Sequence, residues 1–129
     1  MLRTTPYRLT SNPDTVHLGY FSGELKPALT IHSGDIVIID TLAPLSPHDF
    51  ETGGIAPEQV PQALRKVWGK AESKGPGSHI LTGPIYIKGA EPGDVLEVHV
   101  KEIKITAPFG FNRNEYEAGT LPEEFPYEA

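Results

Sequence analysis

One phrase, used twice, constrains the fold of this chain more than any other feature. Residues 33–40 read SGDIVIID and residues 91–99 read EPGDVLEVH. In each copy a Gly able to adopt positive φ precedes an Asp able to bond nearby backbone amides, and an apolar run follows at once. A sharp reversal feeding straight into a strand suits a β-sandwich or barrel, whose successive strands must re-enter one core. The repeat therefore reads as structural, because a turn Asp ordinarily serves its own backbone.

The strands launched by the two copies differ in pattern. Residues 36–39 are apolar without alternation, which predicts a strand buried on both faces. After the second copy, Leu96, Val98 and Val100 alternate with Glu97, His99 and Lys101, which predicts the longest strand of the chain. Ile103 and Ile105 resume the apolar spacing with opposite parity, so a bulge or twist is expected near 101–102. Shorter strands are expected within 16–21, at 28–31, after His79 and at 85–87.

One helix is legible. Val60, Leu64, Val67 and Trp68 share a face at helical spacing, and Pro57 and Pro61 confine any helix to starting near them. Residues 41–54 read as loop and 69–79 as a surface linker. Thirteen Gly and thirteen Pro in 129 residues also favour a turn-rich domain over a helical one. The expectation is a single, mainly β domain over 1–129, sandwich- or barrel-like, with one short helix near residues 58–68.

Several function classes are excluded. Net charge is −6 and no Lys/Arg cluster stands out. Neutralising nucleic-acid phosphates needs clustered cations, so no nucleic-acid partner is expected. The absence of cysteine removes disulfides, thiolate metal sites and a cysteine nucleophile, and fits a reducing cytoplasm. The opening MLRTTPYRLTSNPDT has no apolar run of the secretory kind. No stretch is long and apolar enough to predict a membrane span.

The closing residues 110–129 hold no convincing strand, yet carry Phe111, Tyr116, Leu121, Phe125 and Tyr127. Large apolar side chains on irregular chain want a surface. The chain is therefore expected to be a fragment or one part of an assembly.

Candidate chemistry rests on histidines and one acid. His17 opens HLGYF among apolar neighbours, and His79 precedes an apolar strand in GSHILTGP. Each is as readily a satisfied structural histidine as a functional one. Asp40, at the end of IVIID, suits a ligand, a base or a turn cap. His32 and His99 are expected to be solvated, and His48 lies in a polar loop beside Asp49 and Glu51. No H-x-H or H-x-x-x-H pair, nucleophile motif or phosphate-binding Gly loop occurs.

The wording of longer stretches carries a resemblance. HLGYF (17–21), PALTIHSGDIVIIDT (27–41), GSHILTGPIYIKGAEPGDVLEVHVKEI (77–103) and FGFNRNEYEAGTLPEEFP (109–126) resemble, in that order, the acetamidase/formamidase family of amide hydrolases. LTGPIYIKGAEPGD is the most specific piece, since neither strand periodicity nor turn chemistry requires it. The resemblance implies a mostly β fold and hydrolysis of small linear amides to a carboxylate and ammonia. It also implies a cytoplasmic homo-oligomer with a divalent metal, zinc being the expected ion, to polarise the amide carbonyl and acidify a bound water.

By motif position the resemblance carries a catalytic role onto His17 and Asp40 and a metal-binding role onto His17, Asp40 and His79. The family's members are much longer, and only their N-terminal part is matched, so a complementary C-terminal half is an expected partner besides a second copy. An Glu-Thr-x-Asp phrase of many relatives reads Asp40-Thr41-Leu42-Ala43 here, without its second acid. The competing expectation is a non-catalytic β-sandwich binding or assembly module, or a split-gene remnant. A cupredoxin-like copper site is ruled out by the missing cysteine.

Overall fold

The computed structural model describes residues 5–73, 77–112 and 121. Both Gly-Asp phrases fold as the sequence predicts. Gly34 and Gly93 take φ of +86° and +103°, conformations that a side chain would strain. The Asp35 carboxylate accepts the His32 N–H at 2.8 Å, and the Asp94 carboxylate accepts the Glu91 N–H at 2.9 Å. A backbone bond closes each turn in the opposite sense, Asp35 N–H to the His32 carbonyl and Asp94 N–H to that of Glu91. The two turns are chemical copies.

Among the described residues seven short strands follow the chain: β1 (Tyr7–Leu9), β2 (Val16–Leu18), β3 (Leu29–Ile31), β4 (Val37–Ile39), β5 (Glu72–Ser73), β6 (Ile80–Thr82) and β7 (Ile85–Ile87). They form three small sheets. Strand β1 pairs in parallel with β4 and β3 in parallel with β7, while β2 sits between parallel β5 and antiparallel β6. The class is mainly β, as expected. Among the described residues the sheets do not close into a barrel.

The helical region divides. A 3-10 turn spans Pro57–Gln59, and a helix, α2, spans Gln62–Val67. Pro61 separates them, because proline offers no N–H to an upstream carbonyl. Residues 41–54, expected to be loop, contain a further helix, α1 (Pro47–Thr52). Its start is a capping box: the Ser46 hydroxyl accepts the Asp49 N–H at 3.0 Å, and the Asp49 carboxylate accepts the Ser46 N–H at 3.1 Å. Six residues carry no full hydrophobic period, so local capping rather than periodicity specifies this helix.

The core lies where the helices meet β2 and β6. Val16, Phe50, Val60, Leu64, Val67 and Ile80 form one buried cluster. An ion pair between Arg65 and Glu51 at 2.6 Å ties the two helices together. Phe109 and Phe111 return to this region, with ring centroids 5.2 and 5.6 Å from Phe50. Two of the late aromatics thus find the surface they need. Tyr116, Phe125 and Tyr127 lie outside the described residues.

Two strand expectations are corrected. Strand β4 is not buried on both faces, for Ile36, Ile38 and Ile39 are 42%, 47% and 44% exposed. It pairs with β1 alone, and the buried cluster contains none of its residues. Residues 94–105 form no strand. Alternation prepares a chain for pairing, but a strand exists only with a neighbour to take its backbone hydrogen bonds. Among the described residues none supplies them.

Candidate active site

The site grows from β2. Its antiparallel register with β6 sets His17 opposite Leu81 and Val16 opposite Thr82. The ladder runs one step past the strands, where the Gly19 N–H donates to the His79 carbonyl at 3.0 Å. Gly77 donates to the Gly19 carbonyl, and a Cβ on Gly77 would stand only 2.9 Å from that oxygen. Gly77 is therefore required by close backbone approach. Positive φ at Gly19 (+77°) also turns the chain away after Leu18, which ends β2 earlier than the apolar run suggests.

His17 is the one histidine buried among the described residues, at 8% exposure. Among the described residues neither of its ring nitrogens has a hydrogen-bond partner, and the Tyr20 hydroxyl beside it has none either. The two rings meet edge to face at 5.4 Å. An unpaired polar group removed from water costs roughly 1–3 kcal/mol. A structural histidine would recover that cost through a bond to its surroundings, and His17 does not.

The imidazole lines a cleft of about 420 Å³ together with Phe21, Ser22, Thr82, Gly83 and Pro84. A short polar relay lies on the other face of the ladder. The Ser11 hydroxyl donates to the Asp40 carbonyl at 2.7 Å and lies 2.8 Å from the Thr82 hydroxyl. Ser11 has one hydroxyl proton, already given to Asp40, so Thr82 must be the donor to Ser11. Thr82 stands opposite Val16, on the face turned away from His17, so the relay backs the strand that carries the cleft.

The sequence-predicted residues separate in space. His17 forms the cleft. By register His79 stands diagonally from His17 across the ladder, on the same face, but it is solvent-exposed. Asp40 does not line the cleft, and its carboxylate accepts from Arg8 with both oxygens, at 3.0 and 3.3 Å. Among the described residues no three His, Asp or Glu side chains gather as a metal group. His32, His48 and His99 are exposed. Sequence reasoning missed Ser11, Tyr20 and Thr82. No local signal marks them, since the Ser11–Thr82 contact joins positions seventy-one apart.

Comparison with known proteins agrees with the wording of the sequence. The model of the acetamidase/formamidase family matches residues 10–129. A protein of Schizosaccharomyces pombe named "Putative formamidase" is 42% identical over 53 residues, which are 37% of this chain and 13% of that relative. The match thus spans a small part of the relative's length. Among the described residues no helix is long and apolar enough to cross a membrane.

Proposed function

The chain belongs to the acetamidase/formamidase family, and from that premise we propose that the His17 cleft binds small linear amides for hydrolysis to a carboxylate and ammonia. The observation that carries this reading is the buried imidazole with two unpartnered nitrogens. A primary amide offers two N–H donors and one carbonyl acceptor. A protonated His17 nitrogen suits the carbonyl, and a bare one suits an attacking water. Phe21 and Pro84 wall off a space fit for a formyl or acetyl group.

In this reading His17 takes a proton from the water that adds to the amide carbon. It returns that proton to the nitrogen as the carbon–nitrogen bond breaks, so that ammonia leaves. The divalent ion implied by the family resemblance would find one ligand in His17, with His79 on the same face. The Asp40 carboxylate is held by Arg8. When bound, such an ion would polarise the carbonyl. The described residues do not make a complete ligand set, and no step is assigned to it.

The test is a titration of the protein with formamide and acetamide, following the His17 ring resonances and released ammonia together. The expected result is a saturable shift of those resonances. Where turnover is seen, His17→Gln should lower it by about a hundredfold or more, the usual worth of a proton-transfer group. Resonances indifferent to both amides, with no ammonia released, would overturn the reading.

A further inference from the structure

Residues 94–105 are the most exposed apolar stretch among the described residues. Val95, Leu96, Val98, Val100, Ile103 and Ile105 are 94%, 69%, 70%, 70%, 81% and 83% exposed. Past Asp94, none of these residues takes part in a backbone hydrogen bond among the described residues. The Glu97 carboxylate does meet the His99 ring at 2.7 Å, the i, i+2 contact that an extended backbone brings to one face. A six-fold apolar exposure on an unpaired backbone is an open edge, and open edges seek a strand.

We propose that this segment pairs with the same segment of a second copy, antiparallel, about a two-fold axis through His99. The argument is self-complementarity. In such a pair each residue faces the one equally far beyond His99. Asp94 then faces Lys104, Glu97 faces Lys101, Val95 faces Ile103, and Val98 faces Val100. Opposite charges meet opposite charges and apolar meets apolar, the arrangement that stabilises cross-strand pairs. Leu96 against Glu102 is the one mismatch.

Neighbouring registers lose this match. A centre at Val98 would set Asp94 against Glu102 and Val95 against Lys101. A centre at Val100 would set Val98 against Glu102 and Leu96 against Lys104. Faces are also kept: Leu96, Val98 and Val100 of both copies form one apolar stripe, and Glu97, His99 and Lys101 form the opposite one. The parity change at Ile103, which a lone sandwich strand would need a bulge to accommodate, here puts Ile103 opposite Val95. The pair is isologous, as closed two-fold assemblies require.

Sedimentation equilibrium over a range of protein concentrations tests this. The wild-type protein should show a monomer–dimer equilibrium. Lys101→Glu sets like charges against Glu97 twice per dimer and should weaken association about tenfold. The double variant Glu97→Lys/Lys101→Glu restores opposite charges and should recover the wild-type constant. Thermal unfolding of the dilute monomer should not change in either variant, since these side chains pack on nothing within the chain. A wild-type protein monomeric throughout would overturn the proposal. So would association indifferent to Lys101→Glu, failure of the double variant to rescue it, or association only with a different protein.

Discussion

The two Gly-Asp turns are the same device with opposite outcomes. Each has a positive-φ Gly, the same carboxylate-to-amide bond and the same apolar sequel. The turn at 32–35 delivers β4 beside β1, where Val37 pairs with Tyr7 and Ile39 with Leu9. The turn at 91–94 delivers residues 95–105, better alternated at their start, to no neighbour among the described residues. A turn can aim a strand, but pairing depends on what already lies at its destination. Burial differs in step. The Asp35 side chain is 4% exposed, whereas Asp94 lies at the surface.

That contrast can be broken most forcefully at the strands themselves. Leu9 is 3% exposed and holds the register of β4. Leu9→Ala should cost about 2–5 kcal/mol of stability, read by denaturant unfolding. Val98→Ala, at the place after the second turn that corresponds to Leu9's partner Ile39, should stay within about 0.5 kcal/mol in the dilute monomer. Equal losses at both positions would mean that 94–105 is packed within the chain after all.

A smaller effect sharpens the comparison at the turns. Asp35→Ala removes a buried acceptor from the His32 N–H and should cost about 1–3 kcal/mol. Asp94→Ala removes the same bond where water can replace it, and the melting temperature should not move measurably. A loss of similar size at both would show that the turn geometry, rather than its surroundings, sets the cost.

The parts of this fold legible in the sequence were those specified locally. Glycine and aspartate chemistry placed both turns, and helical spacing from Val60 to Val67 placed α2. The Ser46–Asp49 capping box was equally local, but six residues of helix leave too little periodicity to notice. What the sequence could not disclose was pairing. Nothing in residues 36–39 indicates that a three-residue strand at Tyr7–Leu9 would be their sole neighbour, leaving them half exposed.

The site follows the same rule. His17 stood out by its apolar setting, and the structure brings it to a cleft with unsatisfied nitrogens. Asp40 also stood out, at the end of an apolar run. Its carboxylate is instead claimed by Arg8, thirty-two positions away and invisible to local reading. Ser11 and Thr82, seventy-one positions apart, acquire their roles only through the contact between them.

Amide hydrogen exchange, read in one sample over β4 and over 95–105, tests the central contrast most directly. The expected result is protection of the β4 amides that bond to β1 at every protein concentration. Protection of 95–105 should appear only as concentration rises to where a second copy binds. Protection of 95–105 in the dilute monomer, or free exchange there in a sample shown to be dimeric, would contradict the account.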